Sequence, residues 1–355
     1  MPAGEVALAL QGWLQTQLPE RRGLHVDAVT LPGNGASNLT GMIRVSWTEK
    51  DGDQPRDDLL VLRTLSPAND QFYETYDLLK QYRIIEALAQ TPLKVPRVLG
   101  FEAGKSILGR EFYVMHHTGG RAIPEQPPYH GSGWFAELTD AGRRKIWMEA
   151  VDSIAAIHRL DWNALGLGFL GETGTNAAIH HRFIAHHSNL LRWIEKRNGR
   201  SLPRLRRVFD WLEANFPMDA DTGLLWADAK LGNLMIDGDA IVGVLDWEHC
   251  TIGPGLYDLA SLMIFDEMMS RGINLPRLPG LPGVAQTVRR YEAASGRSAA
   301  HIDYFRLFSA VRLANVVCGH APQLVASGRV APGYEERNPA IVIMEAQLKS
   351  MNLQF

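Results

Sequence analysis

Apolar and polar residues alternate along two segments in the first hundred positions of the chain. "GMIRVSW" (41–47) and "DLLVLRTL" (58–65) follow this period of two, which is typical of half-buried strands. "EKDGDQP" between them has the residues of a hairpin turn. "REFYVMHHTGG" (110–120) has the pattern of a buried strand that stops at a pair of glycines. These patterns predict a β-sheet in the N-terminal part of the chain.

Other segments carry apolar residues at spacings of three and four, which predicts helices. In the first part this pattern lies within residues 78–88, and the first twenty residues read as a short amphipathic helix. After about residue 135 it dominates, in the segments 141–162, 182–199, 203–216 and 255–269. Two short strands interrupt these helices, "NLMIDG" (233–238) and "IVGVLDW" (241–247), and a Gly-Asp turn joins them into a hairpin.

These elements predict an α+β protein with two unequal lobes. The smaller, β-rich N-terminal lobe spans residues 1–116 and the larger helical lobe spans residues 117–355, with a linker near 116–120. A cleft between unequal lobes is the usual place for a binding site.

Composition narrows the class of protein. The chain has 355 residues, of which 46% are hydrophobic, so it can bury a large core. Its 36 basic and 39 acidic residues give a net charge of -3, which disfavours nucleic acid as a partner. The two cysteines, the lack of a signal peptide and the lack of a membrane-length apolar run favour a cytoplasmic protein without a membrane partner.

Candidate chemistry concentrates in Asp228, Asn233 and Asp246, which lie beside apolar runs. Asp228 and Asn233 flank the loop "AKLG" before one strand, and Asp246 ends the next strand, so the hairpin can bring the three side chains together. Such oxygen-rich groups suit Mg²⁺, and an aspartate can accept a proton from an incoming hydroxyl. Plain capping roles for Asp228 and Asp246 are the alternative explanation.

The same residues carry a resemblance to a known family. "WADAKLGN" and "LDWE" resemble the loop H-G-D-x-x-x-x-N and the following D-W or D-F of the aminoglycoside phosphotransferase-like kinases. Within them the chain most resembles the kinase-like domain found with acyl-CoA dehydrogenases. Further similar segments follow in order over about residues 30–320: "GNGASNLT", "LVLRTLSP", "QYRIIEAL", "VPRVLG", "FYVM" and "AIHRLD".

The resemblance implies a bilobal, protein-kinase-like fold and a Mg²⁺-dependent kinase. Such an enzyme transfers the γ-phosphoryl group of ATP to a hydroxyl of a small molecule, for which hydroxyacyl-CoA-like acceptors are one class. Asp228 would be the catalytic residue, and Asn233 and Asp246 would hold the metal. Asp258 would cap a helix start and brace the catalytic loop. The implied ATP-binding residues are Gly33, Gly35, Ser37, Asn38 and Arg63, with Met115, His116 and His117 as the hinge beside adenine.

Three positions depart from the family pattern. Trp226 and Ala227 replace the usual His-Gly, Arg63 replaces a strand lysine, and Gln81 replaces the glutamate that pairs with that cation. A kinase-like protein that binds nucleotide or another ligand with weak or no turnover is therefore the alternative function, and a metal-dependent phosphoesterase is a third. The histidine pairs 116–117, 180–181 and 186–187 are not interpreted as a metal site, because adjacent residues point to different helix faces and no H-E-x-x-H spacing occurs. The segment "IHHRFIAHHSN" (179–189) is interpreted as a helix whose polar face borders the substrate cleft. The acceptor and the oligomeric state stay open.

Overall fold

The computed structural model describes residues 3–30, 38–49, 54–65, 76–171 and 174–355. Contacts within the chain define two units, Met1–Gly119 and Gly120–Phe355. The predicted boundary after residue 116 differs from this one by three residues. Residues 50–53 of the predicted hairpin turn lie outside the described part.

The first unit is built on a five-stranded antiparallel sheet with the strand order β1-β2-β3-β5-β4. Alternation explains its core: Leu60 and Leu62 of β3 point to the buried face together with Ile43 and Val45 of β2. The bounds of the strands are β1 Arg21–Thr30, β2 Asn38–Glu49, β3 Pro55–Leu65, β4 Val98–Glu102 and β5 Phe112–His116.

Two helices accompany this sheet. In α1 (Ala3–Gln17) the residues Leu10, Trp13 and Leu14 share one face and join the sheet core, as their spacing requires. In α2 (Leu78–Leu88) the carboxylate of Asp77 accepts a hydrogen bond from the backbone N–H of Lys80 at 2.7 Å and caps the helix start. The helix predicted over 78–88 has these bounds in the structure.

The second unit is mainly helical, with two small antiparallel sheets ordered β6-β8-β9 and β10-β7. Its strands are β6 Arg121–Ala122, β7 Thr222–Leu225, β8 Leu234–Asp237, β9 Ala240–Val244 and β10 Thr251–Pro254. Its helices are α3 Trp134–Glu137, α4 Asp140–His158, α5 Asn176–Asn198, α6 Pro203–Ala214, α7 Leu256–Met269, α8 Val284–Ser295, α9 Ile302–Ala326 and α10 Pro339–Ser350. Among the described residues, no helix combines the length and the apolar character that crossing a bilayer requires.

The hairpin of β8 and β9 turns at Gly238, whose φ of +61° is a conformation that glycine adopts without strain. The second strand is shorter than predicted, because it ends at Val244 rather than at residue 247. The reason lies at Asp246, where φ is +62° and the backbone leaves the extended conformation. Asp246 therefore follows the strand instead of ending it.

Candidate active site

The loop that carries Asp228 runs from β7 to β8 and has an unusual backbone. Ala227 adopts φ +65°, a left-handed conformation that disfavours residues with a side chain. The backbone N–H groups of Trp226 and Ala227 donate to the carboxylate of Asp258 at 2.7 and 2.8 Å. This contact holds the turn in place directly before the candidate catalytic residue.

Asp258 is itself fully buried in the first turn of α7 and also contacts Nε2 of His158 at 3.1 Å. His158 in turn lies 2.9 Å from the hydroxyl of Tyr291 through its Nδ1 atom. The predicted bracing contact of Asp258 is present. The predicted helix cap is wrong, because α7 starts after Gly255 without a side-chain cap and the Asp258 carboxylate points to the loop.

Trp226 occupies the place of the family's histidine and braces the loop through a different bond. Its Nε1–H donates to the carbonyl of Leu245 at 2.8 Å, and its ring is buried beside that of Trp247, with centroids 6.1 Å apart. The bond ties Trp226, two residues before Asp228, to Leu245, the residue before Asp246. With tryptophan at this position, the two arms of the site are thus joined by a side-chain hydrogen bond.

Asn233 and Asp228 are in direct contact. The amide nitrogen of Asn233 donates to the Asp228 carboxylate at 2.8 Å and to its backbone carbonyl at 3.0 Å. Because the nitrogen is used in this way, the amide oxygen is the atom that Asn233 can offer to a cation. The backbone carbonyl of Asn233 also accepts the N–H of Leu245 at 2.9 Å, which places Asp246 one residue from this contact. The three predicted residues therefore belong to one connected arrangement.

Charged neighbours control the protonation of Asp228. Burial acts to raise the pKa of its carboxyl, but the charges of Lys230, Arg312 and His249 and the Asn233 hydrogen bond outweigh burial and lower it. Nζ of Lys230 and Nη1 of Arg312 each lie 3.8 Å from one of its oxygens. Asp228 is therefore a carboxylate at neutral pH and a weak base, suited to orienting a hydroxyl and receiving its proton late in the reaction.

Lys230 and Glu125 are site residues that the sequence reasoning missed. Nζ of Lys230 lies 3.0 Å from Oε1 of Glu125 and 4.9 Å from the ring centroid of Phe265. Burial acts to lower the pKa of Lys230, but the charges of Asp228, Glu125 and Asp246 raise it, so the ammonium stays charged. Lys230 lies two residues after the candidate catalytic Asp228, and this spacing was the available signal for it. Glu125, from the loop between β6 and α3, had none.

The residues predicted to contact nucleotide in the first unit are only partly described. Gly33, Gly35 and Ser37 lie outside the described residues, and Asn38 is described only as the first backbone position of β2. Nη1 of Arg63 in β3 donates to the hydroxyl of Thr40 at 2.7 Å.

The predicted hinge residues Met115, His116 and His117 lie at the end of β5. The N–H of His116 donates to the carbonyl of Arg97 at 2.8 Å, and that of His117 to the carbonyl of Leu59 at 3.0 Å. The backbone N–H groups of both histidines therefore have their acceptors within the first unit. In α2, Gln81 is buried, whereas Glu86 is exposed and accepts from the hydroxyl of Tyr82 at 2.9 Å, so Glu86 does face away from Gln81.

The histidine pairs of α5 divide between two faces of the helix. His181 and His186 are exposed, but His180 and His187 are buried against Phe216 and Phe183, with ring centroids 4.7 and 4.8 Å apart. The predicted helix over 179–189 lies within α5, and only one histidine of each pair lies on its exposed face, because the other is buried among aromatic rings. Burial also lowers the pKa of His180 and of His187.

We expect acid to destabilise the fold through such buried histidines, and His320 of α9 is the test residue. Burial, with a smaller effect of Arg197, lowers its pKa from 6.5 to about 4. Between pH 6.5 and 4 the unfolded chain binds a proton that the folded chain excludes, so stability falls as the pH falls. Between pH 7 and 5, the free energy of unfolding measured in urea should fall by roughly 1–2 kcal/mol less for His320→Gln than for the unmodified protein. Equal losses would contradict this.

The chain is similar to known proteins over most of its length. Residues 44–296 match the profile of the APH phosphotransferase enzyme family. Over 324 residues the chain is 27% identical to acyl-CoA dehydrogenase family member 11 from Rattus norvegicus; the match covers 88% of this chain but only 38% of that relative. The chain therefore spans less than half the length of this relative.

Two solved structures show the fold. A Ralstonia eutropha protein provisionally assigned as an aminoglycoside phosphotransferase superposes with a TM-score of 0.67 at 22% identity, covering 96% of this chain and 94% of that one. Aminoglycoside phosphotransferase APH(4)-Ia, solved in a ternary complex with ADP and hygromycin B, gives a TM-score of 0.56 at 16% identity, covering 96% and 98%. The predicted α+β, protein-kinase-like fold is confirmed.

Proposed function

The chain belongs to the APH phosphotransferase enzyme family, and from this premise we propose that it is a Mg²⁺-dependent kinase that transfers the γ-phosphoryl group of ATP to a hydroxyl of a small molecule. The observation that carries the proposal is the direct contact of Asn233 with Asp228, tied through Leu245 to Asp246. A pair of structural caps would not require this contact. Cys250 and Cys318 are buried and form no disulfide in the described part of the chain, which supports a cytoplasmic location.

The donor set fits Mg²⁺. The amide oxygen of Asn233 and the carboxylate of Asp246 are hard oxygen ligands, and Mg²⁺ usually takes few protein ligands and completes its shell with water and substrate phosphates. These two residues would hold the ion. The ion, when bound, neutralises the charge of the nucleotide phosphates and of the group in transfer.

The other residues bind, orient and move a proton. The acceptor hydroxyl donates a hydrogen bond to the Asp228 carboxylate. Its oxygen forms a bond to the γ-phosphorus while the bond from that phosphorus to the bridging oxygen of ATP breaks, and ADP leaves. The hydroxyl proton passes to Asp228. The Lys230 ammonium, held by Glu125 at 3.0 Å, contributes positive charge beside this reaction.

The nucleotide contacts of the first unit are part of the proposal. Backbone N–H groups of a glycine-containing loop can approach phosphates closely, and the arginine fork binds phosphate oxygens. We assign the phosphates to Gly33, Gly35, Ser37, Asn38 and Arg63, and adenine to Met115, His116 and His117. In this proposal, the N-terminal lobe that binds nucleotide is residues 1–116 and the C-terminal lobe with the catalytic loop is residues 117–355.

The decisive test is ADP release from Mg-ATP by pure protein across a panel of hydroxylated compounds, with the phosphorylated product identified by mass spectrometry. Acceptor-dependent ADP release supports the kinase. Binding of Mg-ATP without release of ADP in any mixture would leave the second candidate, a nucleotide-binding protein without turnover. The observation in its favour is Gln81, an uncharged residue buried in α2 where the family has a glutamate.

We expect the Asp246→Asn variant to bind Mg-ATP more weakly by at least about 10- to 100-fold, because even the outer-shell partners of metal ligands contribute this much. Asparagine has the same shape and tolerates the φ of +62° at this position, so the change removes charge without adding strain. Calorimetry measures the affinity for ATP with Mg²⁺ and, as the control, with EDTA. The EDTA affinity should stay near that of the unmodified protein. An equal loss in both would show that Asp246 does not act through the metal.

A further inference from the structure

Two permanent cations flank the candidate catalytic carboxylate. Lys230 approaches one oxygen of Asp228, and Arg312, from α9, approaches the other, each at 3.8 Å. Lys230 also lies 3.0 Å from the carboxylate of Glu125. The Arg312 side chain is only 13% exposed, and its contact with Asp228 is longer than a hydrogen bond. Positive charge thus lies where an acceptor hydroxyl must arrive.

An aromatic cluster lies on the face of α9 that carries Arg312, because Phe308 precedes this residue by four positions. His187 packs against Phe183 and Phe308, with ring centroids 4.8 and 5.1 Å away, and Tyr257 lies 5.1 Å from Phe183. Besides burial, which dominates, the charge of Arg312 acts on the pKa of both His187 and Tyr257, so its guanidinium is close to this cluster. An arginine near such a cluster is suited to bind a carboxylate or a phosphate, because apolar side chains limit the water around it.

Two buried polar side chains accompany this arginine. Asn315 is fully buried, and among the described residues neither its amide nitrogen nor its amide oxygen has a hydrogen-bond partner. It follows Arg312 by three residues and so shares its face of α9. Nδ1 of His187, across in α5, is likewise buried and without a partner in the described part of the chain. Buried polar atoms are normally satisfied, so these atoms favour a polar ligand over an apolar one.

We propose that Arg312 binds an anionic group of the acceptor, a carboxylate or a phosphate, and thereby directs a hydroxyl of the same molecule to Asp228. The proposal rests on the proposed kinase function and adds the class of acceptor. Because the guanidinium lies 3.8 Å from the catalytic carboxylate, the anion and the hydroxyl of the acceptor are separated by few bonds. The same guanidinium disfavours polycationic acceptors through like-charge repulsion.

The test uses matched acceptors on the full-length protein. Hydroxy acids of about two to eight carbons are compared with their neutral amides and with hydroxyalkyl phosphates, by ADP release and by calorimetry in the presence of Mg²⁺ and a non-hydrolysable ATP analogue. We expect the acids or the phosphates to exceed the amides by at least about tenfold, as for a charge-assisted hydrogen bond. The two charged series distinguish carboxylate from phosphate recognition.

Variants assign the preference to one side chain. Arg312→Gln should bring the ratio of anion to amide close to one, and Arg312→Lys should keep part of it, because lysine retains the charge without the fork. Arg329→Gln, which removes an exposed arginine just after α9, is the control and should keep the full preference.

Several results would overturn the assignment of Arg312: equal use of acids and amides, no binding of any anionic compound, or a preference that survives Arg312→Gln. Failure of the kinase function is distinct from these. In that case anions bind in preference to amides and lose this preference in Arg312→Gln, yet no mixture releases ADP.

Discussion

Replacement of Asp228 by asparagine is expected to lower phosphoryl transfer by about 100- to 10,000-fold, the range for removal of a positioned proton acceptor. Asparagine can still orient a hydroxyl but cannot receive its proton. It also removes the negative charge that both Lys230 and Arg312 approach at 3.8 Å. The measurement is kcat for ADP release with the best acceptor of the panel.

Folding and nucleotide binding are the controls for Asp228→Asn. The asparagine oxygen can still accept the Asn233 amide, so the melting temperature and the Mg-ATP affinity should stay close to those of the unmodified protein. Asp239→Asn is a matched control, because Asp239 lies on the hairpin turn, half exposed, and pairs with Lys145 at 2.5 Å. If Asp228→Asn retained full turnover, Asp228 would not be the catalytic residue.

Replacement of Asp258 by alanine is expected to destabilise the protein by about 3–5 kcal/mol, because it leaves three buried polar groups without their partner, at about 1–3 kcal/mol each. The change leaves the N–H groups of Trp226 and Ala227 without their acceptor. It also removes the carboxylate beside Nε2 of His158, in a region with no exposed side-chain surface. Urea denaturation measures the free energy of unfolding. A loss below about 1 kcal/mol would show that the brace contributes little.

Tyr291→Phe is the graded control for this brace. It keeps the ring and deletes only the hydroxyl that lies 2.9 Å from His158, so a loss of about 1 kcal/mol is expected. Turnover separates the two variants further. Asp258→Ala should lower kcat even at temperatures where the protein is folded, because the backbone at Ala227 is no longer held, whereas Tyr291→Phe should retain turnover.

Local patterns in the sequence predicted much of the fold. Strands β2 and β3 alternate because one face of the sheet is buried, and α2 is amphipathic for the same reason. Strand β1 was missed, since only Leu24 and Val26 of its ten residues are fully buried. Helix α9 was missed for the opposite reason: buried residues surround it on most sides, so no apolar stripe marks it.

The site residues that local spacing predicted differ from those that only the folded structure brings together. Asp228, Asn233 and Asp246 lie within one loop and one hairpin, so their spacing in the sequence predicted their arrangement. Arg312 contacts Asp228, and Glu125 contacts Lys230, from distant parts of the chain. Only the packing of the second unit brings these residues together. Left-handed backbone at Ala227 and Asp246 could not be predicted either, because neither residue type requires it.

Those two left-handed residues have a consequence for how this scaffold can be re-engineered. Such backbone is unfavourable by roughly 1–2 kcal/mol for a residue with a side chain, and at Ala227 the Asp258 column, from Tyr291 through His158, compensates for it. Arg312 and its neighbours on α9 are not part of these contacts. Under the proposed role of Arg312, laboratory evolution toward new acceptors can therefore change them without loosening the backbone at Ala227. Substitutions at Asp258 or His158 would instead lower turnover indirectly, although neither of these residues contacts a substrate.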